Sequence, residues 1–169
     1  MWYVVQVRTG SEENIRLQCE RKIPHSVLEE CFIPYYEEKK KIQGEWKIQK
    51  KILFPGYIFL VTEDVHEVWW QLKGVFGLTK LLKVDLEVIT LKEEEIRFLL
   101  AFGGKEQLVK MSEGIIENSQ VTITSGPLQG WEGLIKKIDR HKRKAYLELE
   151  MFGRKQLVQV GLEIVRKTV

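Results

Sequence analysis

The segment SQVTITSGPLQGWEGLIKKIDRHKRKA, residues 119–145, decides the fold of the last third of the chain. Its β-branched residues Val121 to Thr124 favour a strand. Gly126-Pro127 ends that strand, because glycine accepts positive φ and proline lacks a backbone donor. Two further glycines indicate a tight bend before a second strand. Farther on, Tyr146 to Met151 alternates apolar and charged residues, which is typical of a half-buried strand, and Phe152-Gly153-Arg154 reads as a hairpin turn.

Basic side chains crowd the region after the second strand. Residues 114–169 hold 10 Lys and Arg against 6 Asp and Glu, whereas residues 1–113 hold 17 against 18. This asymmetry favours a polyanionic partner for the last third. Lys and Arg bind phosphates, while the planar fork of Arg and stacking by His can recognise splayed bases of a folded RNA. The candidate RNA-binding residues are Lys136, Lys137, Arg140, His141, Lys142, Arg143 and Lys144, with Arg154 and Lys155 at the next turn.

The first hundred residues predict a mixed arrangement of strands and helices. Residues 2–7 favour a strand, and Ser11 can cap the helix that follows. Ile15, Cys19 and Ile23 fall at i, i+4 and i+8, so one side of this helix faces a core. Further strands are predicted at 29–34 and 79–84, and further helices at 64–72 and 91–102.

A polar and basic run, EEKKKIQGEWKIQKK at 37–51, predicts a hairpin with Gly44 at its tip. Two interpretations stay open for this hairpin: a solvated surface and a contact with nucleic acid. The apolar run ILFPGYIFL at 52–60 follows. Its Pro-Gly pair marks a turn or bulge that leads residues 57–61 into a sheet.

Composition limits the classes of protein to which the chain can belong. With 169 residues, 44% apolar and 30% charged, it suits one medium soluble domain or two small ones. We expect a cytoplasmic protein without a membrane partner, because no apolar run approaches the roughly 20 residues of a membrane span and no signal peptide is evident. Cys19 and Cys31 are expected as buried thiols rather than a metal or redox pair. The histidines are scattered and no catalytic motif is present, so the sequence predicts a binding protein without cofactor or metal, not an enzyme.

The order V-x-I-x-x-G-P-x-x-G-x-x-G-x-I at 121–135 resembles the KOW motif of small SH3-like barrels. Together with an initial W-Y-V-V-Q strand, a helix, a polar hairpin and F-P-G-Y-I-F, the chain resembles the NusG family of transcription elongation factors. The resemblance implies an α+β fold, with an NGN domain (an antiparallel sheet flanked by helices) at 1–102, a linker at 103–113 and a KOW barrel at 114–169. It places the final strands at 155–160 and 163–165. Some relatives fold this last region as a helical hairpin, but the β-branched and alternating segments here favour the barrel.

The resemblance also implies partners. The NGN domain of the family binds RNA polymerase, taking the coiled-coil tip of the largest subunit's clamp into an apolar depression. A neighbouring segment, here 64–67, reaches the other jaw of the cleft, and the basic hairpin can approach DNA near the transcription bubble. For Tyr57 and Phe59 the alternative is a place in the core. The polymerase-binding residues that follow from position are Gln6, Asn14, Gln18, Phe54, Pro55, Tyr57, Phe59 and His66.

The basic last third departs from general family members, whose barrels contact a termination factor or a ribosomal protein through apolar and neutral surface. It resembles instead the LoaP-type antiterminators. This predicts a monomeric factor that binds a structured RNA hairpin in the nascent transcript and promotes read-through of terminators. Two alternatives stay open: a general elongation or termination factor with a solvated basic loop, and a ribosome-associated RNA-binding protein, a class usually far more basic than +3.

Overall fold

The computed structural model describes residues 1–75 and 88–168, and it confirms an α+β fold. The predicted strand at 79–84 lies outside the described residues. Helices are α1 Glu12–Lys22, α2 Val65–Leu72 and α3 Glu93–Gly103, and a 3-10 turn covers Glu132–Leu134. The strands are β1 Trp2–Gln6, β2 Glu30–Phe32, β3 Tyr35–Ile42, β4 Glu45–Ile52, β5 Tyr57–Val61, β6 Val88–Thr90, β7 Leu108–Val109, β8 Ser112–Glu117, β9 Gln120–Ser125, β10 Ile135–Asp139, β11 Lys144–Met151 and β12 Arg154–Thr168.

Contacts divide the chain into two compact units. The first consists of Met1–Ile33 and Phe54–Ile96, and the second of Pro34–Leu53 and Arg97–Val169. Each unit combines two segments that are separated in the sequence but in contact in space. The division into domains at 1–102 and 114–169 with a linker between them therefore remains a prediction.

The first unit contains a four-stranded antiparallel sheet in the order β2-β5-β1-β6. Its central strands are buried on both faces, since Val4 and Val5 of β1 and Ile58 of β5 are fully inaccessible. Helix α1 buries Ile15 and Cys19, and Ile23 just beyond it is also buried. The predicted apolar side of this helix is thus confirmed.

The start of α1 differs from its prediction. Ser11 occupies the capping position, but its side chain makes no capping hydrogen bond. The buried carboxylate of Glu12 instead accepts hydrogen bonds from the backbone N–H groups of Gly10 at 2.6 Å and Gly56 at 2.9 Å. One acidic side chain therefore ties the helix start to the Pro-Gly turn before β5. Helix α2 does have a side-chain cap, because Asp64 accepts the Glu67 N–H at 3.2 Å.

The second unit contains a five-stranded sheet in the order β10-β11-β12-β8-β9. Strands β9 and β11 confirm the strands predicted at 121–124 and 146–151. The prediction of two separate final strands at 155–160 and 163–165 is wrong, because the structure has one continuous strand, β12, over both ranges. Its first part pairs antiparallel with β11 up to Gly161, and from Leu162 onward it pairs in parallel with β8. Strand β8 begins inside the segment predicted as a linker.

The hairpin at 35–52 also belongs to the second unit. Strands β3 and β4 pair along their full length, and Gln43 and Gly44 form the turn with φ of 52° and 81°. Two consecutive residues with positive φ are the signature of a type I′ turn, which matches the twist of a hairpin. The predicted tip at Gly44 is confirmed. Strand β7 adds to β3 in parallel and completes a three-stranded sheet.

Within residues 1–75 and 88–168, no helix is both long and apolar enough to cross a bilayer.

Candidate nucleic-acid interface

Strand β10 and the turn after it carry six of the predicted RNA-binding residues, and five of these are exposed. The turn is closed by Asp139, whose carboxylate accepts the backbone N–H of Lys142 at 2.9 Å. This hydrogen bond, with the charges of Lys142, Lys137 and His141, lowers the pKa of Asp139. An ionised carboxylate therefore holds the loop in shape while the basic side chains point outward. The exposed residues are Lys136, Lys137, Arg140, His141 and Lys142, which we call the basic turn.

The hairpin formed by β11 and β12 adds basic residues to this surface. The Glu148 carboxylate lies 3.2 Å from the Lys155 ammonium and 3.9 Å from the Lys136 ammonium. These three side chains lie on three adjacent strands, so the pairing of β10, β11 and β12 brings Lys155 beside the basic turn. Arg154 is exposed at the start of β12. The RNA-binding role of these residues stays a prediction.

Arg143 and Lys144 are in a different environment from the basic turn. The Lys144 ammonium lies 2.7 Å from the carboxylate of Glu38, which is only 3% exposed. Arg143 lies 3.7 Å from Glu163, and its guanidinium stacks 3.7 Å above the ring of Trp46. Both cations therefore already have partners on the hairpin or on β12.

Further polar contacts attach the hairpin to strand β12. Lys39 pairs with Glu163 at 2.5 Å, and the Tyr36 hydroxyl donates to the Gln159 side-chain oxygen at 3.5 Å. Burial, together with the nearby Glu38 and Tyr146, raises the pKa of Tyr36 to about 12. The phenol is therefore neutral at any physiological pH and available as a donor.

The exposed end of the hairpin is basic and partly apolar on both of its faces. Lys40 lies directly opposite Lys47, and Lys41 directly opposite Trp46. Trp46 is 43% exposed and Ile48 57%. Sequence reasoning left this surface undecided, although an exposed tryptophan among lysines is a signal that favours nucleic acid.

The aromatic residues predicted to dock on polymerase are mostly buried. Phe54, Tyr57 and Phe59 are 1%, 5% and 0% exposed, whereas Pro55 is exposed. The Phe59 ring lies 5.9 Å from that of Phe54 and 5.3 Å from that of Phe32. In this structure the aromatic rings thus belong to the core, and their contact with polymerase stays a prediction.

The other predicted docking residues are on the surface of the first unit. Gln6 ends β1 and is exposed. On α1, the Gln18 amide donates to the Asn14 side-chain oxygen at 2.5 Å, which brings these two together. His66 is exposed in the first turn of α2, a different helix.

The two cysteines are free and their side chains are hydrogen-bonded to each other. This contact lowers the pKa of the buried Cys19 and, with burial, raises the pKa of Cys31. Cys19 is buried as predicted, and Cys31 is partly exposed. In the part of the chain that the structure describes, no three His, Cys, Asp or Glu side chains are grouped to hold a metal ion.

Comparison with known proteins places these features in a family. The family model described as "Transcription termination factor nusG" matches residues 1–100. The chain is 27% identical to the transcription termination/antitermination protein NusG of Thermus thermophilus, covering 98% of this chain and 97% of that protein. It is 29% identical to the protein of the same name from Staphylococcus aureus, covering 98% and 94%. A solved structure described as "Domain interaction in Thermotoga maritima NusG" covers 96% of this chain and 93% of that one, with 22% identity and a TM-score of 0.56, which supports the fold.

Proposed function

The chain belongs to the NusG family, and we propose that it is an elongation and antitermination factor that docks on RNA polymerase and binds a structured nascent RNA. The first unit supplies the polymerase contact and the basic turn supplies the RNA contact. By restraining the polymerase while it holds the RNA, such a factor promotes read-through of terminators, as LoaP-type antiterminators do.

The observation that carries the proposal is the basic turn itself. Five exposed basic or potentially basic side chains occur within seven positions, and Lys155 joins them through Glu148. The ion pairs of Lys136 and Lys155 are exposed and therefore weak, so both cations can exchange Glu148 for phosphate at little cost. The closed turn fixes where the charges lie before any ligand arrives, which reduces the entropy lost on binding.

The polymerase contact rests on the family and on the exposed residues of the first unit. Pro55, Gln6, Asn14 and His66 are accessible as folded. Pro55 lies in the turn that Glu12 fixes through its hydrogen bond to Gly56, so its position is defined. This part of the proposal is common to general and specialised members of the family.

A second candidate function has an observation of its own. A surface pocket of about 260 Å³ adjoins the basic turn and has a mixed lining: Ile116, Val121, Ile135 and Ile138 are apolar, whereas Ser119, Glu132, Lys136 and Lys137 are polar or charged. Its apolar part suits a side chain of a protein partner. The general-factor alternative, in which the C-terminal β domain binds a termination factor or ribosomal protein, is therefore retained.

The RNA contact is tested by binding of the full chain to a pool of leader-RNA hairpins and matched single strands over a salt series. We expect one hairpin to bind much more tightly than its mismatched version. The substitution of Lys136, Lys137 and Lys142 by Gln should reduce the salt slope of binding by about two to three, because each phosphate contact contributes roughly 0.7 to 0.9. The backbone hydrogen bond from Lys142 to Asp139 survives this change, so the turn keeps its shape.

A variant with Gln at Lys22, Lys92 and Lys105 removes the same charge from exposed positions elsewhere and serves as the control. It should bind like the parent apart from a small nonspecific loss. If both triple variants bind the RNA with equal affinity, or if affinity does not depend on RNA shape, the proposed RNA function is wrong. The result would then favour the function in which the domain binds a protein partner.

A further inference from the structure

We propose that the hairpin β3–β4 is the second half of the RNA site and that Trp46 stacks on an unpaired base beside the stem held by the basic turn. This inference rests on the proposed function, because it assigns a second surface to the same RNA. It changes the expected ligand from a plain stem to a stem with an adjoining single-stranded nucleotide.

The contact between Arg143 and Trp46 joins the two surfaces. Arg143 ends the turn that also carries Arg140 to Lys142, and its guanidinium lies 3.7 Å above the Trp46 ring. Despite this contact, 43% of Trp46 remains exposed. The guanidinium covers part of the indole, and the exposed remainder of the ring can stack on a nucleobase, because every base offers a π face.

The charges of the hairpin suit a polyanion. Residues 35–52 hold six lysines and three glutamates. Lys40 and Lys47 are exposed and directly opposite, an arrangement of like charges that destabilises a strand pair. These two lysines lie on the other face of the hairpin from Lys41 and Trp46, because successive side chains of a strand alternate in face, and a phosphate near them relieves their repulsion. Lys41, opposite Trp46, places a third cation beside the proposed base platform.

The position of the hairpin is fixed by its contacts within the second unit. The buried Glu38 pairs with Lys144, and Lys39 pairs with Glu163. Met111 donates its backbone N–H to Glu37 at 2.9 Å. The platform is therefore held at a defined place relative to the basic turn, so an RNA that fits both surfaces avoids the entropy cost of ordering the hairpin.

The test uses the full chain with two probes: a short RNA stem-loop with a blunt end, and the same stem-loop with an unpaired adenosine tail. The parent should prefer the tailed probe. Trp46→Leu should weaken tailed-probe binding by about 5- to 100-fold, the effect of removing one base–aromatic stack, with little change for the blunt probe. Trp46→Phe keeps an aromatic face and should retain most of the affinity.

Trp70→Leu is the matched control, because Trp70 is 65% exposed and lies on α2 in the first unit. A second variant, with Gln at Lys40 and Lys47, should reduce the salt slope for the tailed probe by about 1.4, the contribution of two single-strand phosphates. It leaves Trp46 in place and so tests the charge separately from the ring.

The outcomes separate the inference from the proposed function. If Trp46→Leu and the parent bind the tailed probe with equal affinity, the inference is overturned, while RNA binding by the basic turn is unaffected. The hairpin lysines would then serve to keep the edge strand β4 from pairing with another chain. If substitution of the basic-turn lysines leaves both probes bound as before, the proposed function fails instead. Tighter binding of a matched DNA probe than of the RNA overturns the choice of RNA as the ligand.

Discussion

At the scale of single residues, Gly161 decides how closely strand β12 approaches β3. A side chain at this position would overlap the main-chain oxygen of Glu37 and the sulfur of Met111. It is also the last residue of β12 paired with β11 before the strand changes partner to β8. The absence of a side chain therefore lets β12 pass close to β3 at the point where it changes its pairing from β11 to β8.

Gly161→Ala should lower the free energy of unfolding by about 1–3 kcal/mol, the usual cost of forcing an extra methyl group into a packed site. Gly133→Ala is its control, because a methyl group there meets nothing within 4 Å. Urea denaturation of the two variants measures the difference. Identical midpoints would mean that β12 and β3 are farther apart than the structure has them.

At the scale of elements, the attachment of the hairpin predicts a dependence of stability on alkaline pH. The pKa of Tyr36 is raised to about 12, above the value of about 10 for an unfolded chain. The fold thus favours the protonated phenol, and this contribution is complete below pH 10 and lost as pH rises from about 10 through 12. The loss amounts to about 3 kcal/mol when it is complete, since one pKa unit corresponds to about 1.4 kcal/mol.

Tyr36→Phe should remove this part of the pH dependence, so its unfolding free energy should fall less steeply than that of the parent over the same range. Tyr35→Phe, the adjacent residue on β3, is the control for loss of a hydroxyl. Parallel curves for the parent and Tyr36→Phe would show that burial of the Tyr36 hydroxyl contributes nothing to the attachment.

Elements with local signals could be predicted from the sequence. The hairpin followed from Gly44 between two extended runs, and β9 and β11 followed from β-branched and alternating residues. Strand β12 was divided in the prediction because the family resemblance places two strands there, whereas the structure has one strand in which Gly161 serves a close backbone approach. Strand β8 was missed because two of its own residues, Ser112 and Gly114, do not favour a strand.

The sequence predicted the residues of the candidate site that are close together in the chain, but not the contacts between distant residues. The basic turn was visible in the sequence because its five residues lie within seven positions. The partners of Arg143 and Lys144 were not, since Trp46 and Glu38 are distant in sequence and no periodic pattern relates them. Pairings of this kind are set by how strands pack, which propensity and spacing do not encode.

At the scale of the whole molecule, the proposed function needs two capacities in one chain, binding of polymerase and binding of RNA. The family match covers residues 1–100, the part proposed to bind polymerase, while the excess of positive charge lies in residues 114–169. A factor with both capacities acts only where its RNA is transcribed. This dependence on a particular transcript separates the proposed antiterminator from a general elongation factor.

The most direct measurement is in vitro transcription with purified RNA polymerase on two templates that differ only in a leader hairpin ahead of a terminator. We expect the full chain to raise read-through on the hairpin template alone. Gln at Lys136, Lys137 and Lys142 should abolish the increase, whereas the control triple variant should keep it. Equal read-through on both templates, or an increase that survives loss of the three basic-turn lysines, would contradict the proposed function.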